Sequence, residues 1–141
     1  DFVPFVNGMD AGADFVMISH ISVSRVTETS EPASLSKLIM TTILREELNY
    51  SGLIITDAFD MASITDKYSA GDAAVKSFEA GADIILMPED LPEAFDAVLK
   101  RVQSGKITEK RLNDTVQRIL KLKFQKGIMT LEDTAQKKEA E

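Results

Sequence analysis

The sequence predicts an α/β fold in which parallel strands alternate with helices. Three short apolar runs, at residues 14–18, 53–56 and 83–87, have the length and composition of buried strands. They begin roughly 30 to 40 residues apart, which is the spacing of successive βα units with parallel strands. None of the runs alternates between apolar and polar residues, a pattern typical of strands that are covered on both faces.

An internal repeat supports two of these strands. Residues 10–18 (DAGADFVMI) return as residues 79–87 (EAGADIILM). Each copy combines the end of a helix, a glycine that can adopt a left-handed conformation, and a short apolar strand. The third strand, at 53–56, lies between the two copies and is entered through the turn-like residues 49–52.

Helical patterns fill the intervals between the strands. Helices are predicted over residues 34–48, 69–80 and 91–104, and from Thr108 toward Gly127. Ser34 is the predicted cap of the first of these helices, and Pro92 suits the first turn of the third. Residues 130–141 are polar and charged, and we expect them to fray.

The number of strands narrows the architecture further. A doubly wound sheet normally has more than three strands. We therefore predict the last three βα units of a (β/α)8 barrel of the TIM type, followed by a C-terminal helix. Residues 1–129 would form this C-terminal part of a barrel domain, and residues 130–141 would form a polar tail.

Composition excludes several classes of function. The 141 residues are 44% hydrophobic and 28% charged, as in a globular domain with a real core. The net charge of −7 argues against nucleic acid as a partner, and no apolar run has the length of a membrane span. The absence of cysteine excludes disulfides, thiolate metal sites and cysteine nucleophiles. The start at residues 1–4 (DFVP) is neither a signal peptide nor an initiator methionine, so we expect a piece of a longer or processed protein.

Polar residues follow each predicted strand. Ser19 and His20 follow the first, Asp57 ends the second, and residues 87–90 (MPED) end the third. Because parallel strands end on the same side, these residues are expected around one mouth, where such folds build active sites. A carboxylate such as Asp57 would be costly inside a core. The common alternatives are a capping or loop carboxylate at Asp57 and a structural role for His20.

Five sequence segments, in order, resemble one protein family. They are residues 15–20 (FVMISH), 31–36 (EPASLS), 44–57 (LREELNYSGLIITD), 80–88 (AGADIILMP) and 118–123 (RILKLK). Together they resemble the C-terminal portion of the N-terminal (β/α)8 domain of glycoside hydrolase family 3. Residues 56–61 (TDAFDM) look more like the β-N-acetylhexosaminidase branch than the β-glucosidase branch, which tends to have Trp after the Asp.

The resemblance implies roles for four residues. It makes Asp57 the nucleophile of a retaining glycosidase and places His20, Met61 and Met87 at substrate-binding positions on the pocket wall. Core packing is the common alternative for the two methionines. The general acid/base, a His held by an Asp, and a Lys-His pair that grips the sugar would precede residue 1. The chain would then be a fragment of an exo-β-N-acetylglucosaminidase, inactive alone, and no metal or organic cofactor is implied.

The resemblance also suggests the substrate and the location. The full-length enzyme would act on β-linked N-acetylglucosamine at the nonreducing ends of cell-wall or chitin-type glycans. Both a cytoplasmic and a secreted or cell-wall-associated location in a bacterium are compatible with the sequence.

Three alternative functions stay open at this point. One is a β-glucosidase-type member of the same family, and another is a non-catalytic interaction module derived from a glycosidase. The third is a receiver domain of a response regulator, in which Asp57 would accept phosphate. A receiver requires five strands, an acidic pair after the first strand and a Lys after the last. Here those positions hold Ser19-His20 and Met87-Pro88.

A barrel segment also predicts its own partners. Three strands leave two open sheet edges and apolar faces that the remaining units would cover, and such edges and patches recruit partners. We predict that Phe15, Met17, Ile54 and Ile85 lie in or beside this exposed region. The expected partner is the N-terminal part of the same barrel or a second copy of the chain.

Overall fold

The computed structural model describes residues 2–130, in which strands and helices alternate in the predicted order. The elements are α1 Val3–Asp10, β1 Phe15–Ile18, α2 Ser24–Thr27, β2 Leu53–Ala58, α3 Ala62–Thr65, α4 Ala70–Ala80, β3 Ile84–Leu86, α5 Leu91–Gln103 and α6 Glu109–Gln125. A 3₁₀ turn, Ala33–Leu35, and a π-helical segment, Leu38–Glu47, lie between α2 and β2. The tail predicted at 130–141 lies outside the described residues apart from Thr130.

The three strands form one parallel sheet in the order β1-β2-β3, as predicted. Residues of β1 pair in register with β2, from Phe15 with Leu53 to Ile18 with Thr56. Between β2 and β3 the register shifts, because Ile55 pairs with Ile84 whereas Ala58 pairs with Leu86. Strand β2 therefore contains one extra residue near its carboxyl end, which is a β-bulge.

One side of the sheet carries the core. Ile18 and Ile54 pack with Met40 and Leu44 of the π-helical segment and with Ala80 and Ala82. A second cluster joins Leu35, Phe59, Ile64 and Ala73, and Ile85 packs against it. Burial of these apolar side chains is the main stabilising term available to so small a sheet.

The other side of β1 is open to solvent. The side chains of Phe15 and Met17 are 47% and 56% exposed, whereas Val16 and Ile18 between and beyond them are more buried. Successive side chains of a strand point to opposite faces, so the two exposed residues mark one uncovered face. In this chain the apolar run of β1 is thus covered on a single face.

Ile54 and Ile85 were predicted to lie in or beside the exposed region, and for Ile54 this is wrong. Ile54 is fully buried, and Ile85 is half-buried against the second cluster. The reason is the strand register. Ile54 pairs with Val16, so both lie on the face that the helices cover, opposite to Phe15 and Met17.

The single helix predicted over 34–48 is also wrong. Ser36 has extended backbone angles (φ −91°, ψ 115°), which separate the 3₁₀ turn from the π-helical segment. Its side chain accepts a hydrogen bond from the N–H of Ile39 at 3.4 Å. Ser34 does not cap a helix, because its hydroxyl is bonded to the His20 ring. Apolar periodicity alone does not reveal the break at Ser36, because the helical spacing of apolar residues continues on both sides of it.

Local signals set the other helix ends as predicted. Thr108 accepts a hydrogen bond from the Arg111 N–H at 3.2 Å at the start of α6, and Pro92 lies in the first turn of α5. Gly81 follows α4 with φ 128°, a conformation that L side chains rarely adopt. A Cβ there would also meet Thr41 Oγ1 at 2.9 Å.

Asp83 anchors the amino-terminal end of the sheet. Its buried carboxylate accepts hydrogen bonds from the Ile54 N–H at 3.0 Å, from Thr115 Oγ1 at 3.1 Å and from Arg118 Nη2 at 2.7 Å, and it also pairs with Arg45. The contacts come from β2, α6 and the π-helical segment. A buried charge is tolerated when it is paired and hydrogen-bonded in this way, so the network locks α6 onto the sheet.

Arg111 reinforces the same end of the sheet. Its Nη2 donates to the carbonyl oxygens of Phe78 at 2.9 Å and Ala82 at 2.6 Å, and its guanidinium lies over the Phe78 ring. Burial lowers the pKa of Arg111 to about 10, although the nearby Asp83 carboxylate opposes this shift. The side chain is therefore still cationic at neutral pH.

Candidate active site

Asp57 lies at the carboxyl end of the central strand. The strand was predicted to end at Thr56, but β2 continues through Ala58, so Asp57 is its penultimate residue. Asp57 and Ile55 are half-buried, whereas Thr56 between them is fully buried. The alternation places Asp57 on the more open face of the sheet, next to the bulge. Bulges of this kind often re-aim a side chain beside an active site.

The Asp57 carboxylate has few partners inside the described chain. Oδ1 accepts a hydrogen bond from the N–H of Ala58 at 2.8 Å, and no ion pair to Asp57 occurs among residues 2–130. A carboxylate can accept about four hydrogen bonds. Most of its accepting capacity is therefore available to a ligand.

The backbone around Asp57 is anchored to β3 on both sides. Thr56 Oγ1 accepts a hydrogen bond from the Leu86 N–H at 3.0 Å, and the Phe59 N–H donates to the Leu86 oxygen at 2.9 Å. The Phe59 side chain is itself buried in the second core cluster. These contacts hold the segment that carries Asp57 against the neighbouring strand.

His20 lies just after β1, beside the end of β2. Its Nε2 is 2.8 Å from the carbonyl oxygen of Ala58, and its Nδ1 is 2.7 Å from the Ser34 hydroxyl. The ring also packs against Phe59, with 5.4 Å between the ring centroids. The structure thus brings His20 to the residue that follows Asp57, with both ring nitrogens bonded within the protein.

Met61 and Met87 follow β2 and β3, respectively. Their side chains are 45% and 56% exposed, so neither is a core residue. Met87, directly after β3, has a positive φ of 45°, which is an uncommon conformation for a residue other than glycine. Asp60 is exposed as well, and Asp90 caps α5 by accepting from the Glu93 N–H at 2.8 Å.

Two contributors to this end of the sheet were missed from the sequence. Ser34 was predicted to be a helix cap, but it contacts His20, and Leu86 binds both sides of the Asp57 segment through its backbone. Backbone contacts carry no residue-type signal. The sequence around Ser34, EPASLS at 31–36, contains no signal that singles out this serine.

A cavity of about 850 Å³ opens at the opposite end of the sheet. Arg45, Arg118 and Lys121 are among its lining residues, and Asp57 and His20 are not. The cavity therefore belongs to the Asp83 end.

Among residues 2–130, no group of three or more His, Asp or Glu side chains is arranged to hold a metal ion. Within the same range, the helices are too short or too polar to cross a membrane.

Enzymes with parallel α/β folds commonly place active-site residues at the carboxyl ends of their strands, where Asp57 lies. Comparison with known proteins identifies the family. The family described as "Glycosyl hydrolase family 3 N terminal domain" matches residues 1–122. The chain therefore belongs to the N-terminal-domain family of the family 3 glycosyl hydrolases, as the sequence motifs predicted. This assignment argues against a receiver domain.

Several relatives are named beta-hexosaminidases. The chain is 34% identical to "Beta-hexosaminidase A" of Pseudoalteromonas piscicida over 87% of its own length and 24% of the relative's. It is 38% identical to a "Beta-hexosaminidase" of Xanthomonas campestris, over 72% of this chain and 30% of the relative. The chain thus spans about a quarter to a third of the length of these relatives.

A solved structure shares the fold. A glycoside hydrolase family 3 beta-N-acetylglucosaminidase from Paenibacillus superimposes with a TM-score of 0.85 at 38% identity. The match covers 91% of this chain and 26% of that one. The α/β fold with a small parallel sheet is therefore confirmed.

Proposed function

We propose that this chain is the C-terminal part of the barrel of a retaining exo-β-N-acetylglucosaminidase. Residues 1–129 would supply the last three βα units of a (β/α)8 barrel and its closing helix, with residues 130–141 as a tail. Three parallel strands in consecutive order, the family match and the partial coverage of longer relatives support this assignment.

The remainder of the barrel is the proposed partner of the open face. Phe15 and Met17 expose apolar surface on one side of β1, and β1 and β3 are both edge strands. The N-terminal part of the same barrel would cover this face and pair with the edges. In its absence, a second copy of the chain would do so.

The single observation that carries the mechanism is the position of Asp57. It lies at the carboxyl end of the central strand, half-exposed, with one hydrogen bond from Ala58 and no paired cation among the described residues. Such a carboxylate is free to attack a carbon atom. In the proposed mechanism Asp57 bonds to the anomeric carbon while the glycosidic bond breaks, and the leaving oxygen takes a proton from the general acid.

The second step restores the enzyme. Water, deprotonated by the same group acting as a base, attacks the anomeric carbon of the glycosyl-enzyme and releases Asp57, with net retention of configuration. The proton-transferring group is proposed to come from the part of the barrel that precedes residue 1. His20 is not assigned this role, because its Nε2 is bonded to Ala58 and its Nδ1 to Ser34.

The proposed pocket wall comprises His20, Met61 and Met87. The two methionines are exposed in the segments that follow β2 and β3, so they flank the Asp57 end of the sheet. The names of the relatives support N-acetylglucosamine as the sugar, and β-linked glycans of cell-wall or chitin type as the substrate class. No cofactor enters this mechanism.

A mechanism-based fluorosugar tests this proposal. The intact parent, in which this chain is joined to the preceding part of the barrel, would be incubated with a 5-fluoro N-acetylglucosaminyl fluoride, which keeps the 2-acetamido group, and the labelled peptide would be identified by mass spectrometry. We expect the covalent adduct on the peptide that contains Asp57. An adduct on Asp60 or Glu89 would show that the nucleophile is misassigned. Faster labelling by the corresponding glucoside would favour a β-glucosidase.

A further inference from the structure

His20 connects three segments of the chain. It follows β1, its Nδ1 lies 2.7 Å from the hydroxyl of Ser34 in the 3₁₀ turn, and its Nε2 lies 2.8 Å from the Ala58 oxygen at the end of β2. Ser34 is fully buried, and His20 is half-buried against the Phe59 ring. The imidazole therefore has a defined place between these segments.

Hydrogen-bond chemistry defines the state of this ring. A carbonyl oxygen can only accept, so the hydrogen must be on Nε2 in the bond to Ala58. In the neutral ring, Nδ1 then accepts from the Ser34 hydroxyl. Ser34 thus selects the tautomer and the orientation in which His20 donates to Ala58.

Ala58 is the residue through which His20 reaches the proposed nucleophile. Its N–H donates to Asp57 Oδ1 at 2.8 Å, and its carbonyl oxygen receives the His20 bond. Leu86 holds the same segment from the other side, through Thr56 Oγ1 and the Phe59 N–H. The bulge between Ile55 and Ala58 leaves this stretch without regular pairing to β3, so these bonds take its place.

We infer that His20, oriented by Ser34, is a positioning residue for Asp57. It fixes Ala58, and Ala58 fixes one oxygen of the carboxylate, so that the other oxygen faces the anomeric carbon. This inference rests on the proposed function of Asp57. A displacement of about 1 Å at a reacting group can lower the rate by about 10²-fold. The two hydrogen bonds that connect His20 to the Asp57 carboxylate through Ala58 therefore matter for turnover.

Four variants of the intact parent test the role. For His20→Leu we expect kcat to fall by about 10²-fold while KM changes less than about threefold, because the bound ground state does not need the aligned carboxylate. His20→Gln keeps a donor that can reach Ala58 and should retain more kcat. Ser34→Ala should lower kcat, whereas Ser22→Ala, which loses an exposed hydroxyl bonded to Ser30, should not.

The rate of Asp57 labelling by the fluorosugar isolates the first chemical step. We expect it to fall in parallel with kcat in His20→Leu and Ser34→Ala, with melting temperature recorded for each variant. A raised KM with unchanged kcat would overturn the inference and leave His20 with its pocket-wall role alone. Unchanged labelling, or equal losses in the Gln and Leu variants, would overturn it too.

A second measurement does not depend on activity. His20 is the one histidine among the 141 residues, so its ring nitrogens give a single pair of ¹⁵N resonances in the isolated chain. At a pH where the ring is neutral, we expect the Nε2–H tautomer. Observation of the Nδ1–H tautomer would contradict the hydrogen bond from His20 to Ala58 and overturn the positioning role. A parent that is never labelled at Asp57 would refute the proposed function and the positioning role, while this spectrum would still show whether that hydrogen bond exists.

Discussion

Two aspartates at opposite ends of the sheet differ in almost every respect. Asp83, at the entry to β3, is fully buried and binds Ile54, Thr115, Arg118 and Arg45. Asp57, near the exit of β2, is half-buried and receives one bond from its own neighbour in the chain. A carboxylate whose acceptors are occupied stabilises a fold, whereas one with free acceptors can take part in chemistry. In the proposed function, the sheet thus separates stability, at the Asp83 end, from activity, at the Asp57 end, as in (β/α)8 barrels.

The environment, and not the local motif, decides which of these roles an aspartate has. Asp14 occupies the same place in the first copy of the repeat as Asp83 does in the second. Yet Asp14 is partly exposed and pairs with Lys126 at 2.7 Å on the surface. The same preceding residues, Ala-Gly-Ala, therefore lead to a buried hub in one copy and a surface ion pair in the other.

The largest expected effect is at Asp57. Asp57→Asn in the intact parent should lower turnover of aryl β-N-acetylglucosaminides by more than about 10⁴-fold, because an amide cannot attack the anomeric carbon. Its urea midpoint should stay close to that of the wild type, since little is bonded to the carboxylate. Asp60→Asn, three residues away and exposed, is the matched control. Comparable losses in both variants would contradict the assignment.

The hydrolytic activity of the isolated chain is a second test of the proposed role of Asp57. We expect purified 141-residue protein to show no measurable hydrolysis of the same substrates. Asp57 would lack its proton donor, a loss of about 10² to 10⁴ in rate, in addition to the sugar contacts that the rest of the barrel supplies. Steady-state assays at high protein concentration would measure this. Heat-sensitive turnover that disappears in Asp57→Ala would refute the prediction.

Substitution of Asp83 tests how much its buried ion pairs contribute to the stability of the fold. Asp83→Asn leaves Arg45 and Arg118 without their buried counter-charge, so we expect a loss of about 3–5 kcal/mol in the free energy of unfolding of the intact parent. Asp14→Asn, which breaks the surface pair with Lys126, should cost about 0–1 kcal/mol. Urea unfolding of both variants decides between them. Equal midpoints would remove the distinction between the two copies of the repeat.

The sequence predicted the strands better than what surrounds them. Apolar runs bounded by glycine turns located all three strands and their parallel order, and capping residues such as Thr108 located helix starts. Prediction from the sequence failed where the role of a side chain depends on a residue far away in the chain. Ser34 contacts His20 instead of capping a helix, and the partners of Asp83 come from three other elements. Neither contact has a periodic or local signature.

The face of each strand residue was also beyond the sequence pattern. A continuous apolar run does not distinguish one side of a strand from the other, so Ile54 and Met17 were both expected in or beside the exposed region. Pairing with β2 separates them, because it places Ile54 toward the helices and Met17 toward solvent. Register is a tertiary property and could not be predicted from β1 alone.

The smallest expected effect concerns the open face. We predict that the isolated chain is not a stable monomer but self-associates or binds the N-terminal part of its barrel, through the uncovered side of β1 and the free edges of the sheet. Sedimentation across a dilution series should show association that weakens on dilution. Added N-terminal barrel fragment should compete with it.

Two lysine variants locate the associating surface. Met17→Lys places a charge on the open face, and burying the original side chain contributes roughly 1–2 kcal/mol, so the association midpoint should shift about tenfold to higher concentration. Leu91→Lys, on α5, removes a leucine that is 65% exposed and should shift it far less. Equal shifts would place the contact on the helices instead. A cooperatively melting monomer at micromolar concentration would show that three strands close their own core, and the open face of β1 would then need no partner.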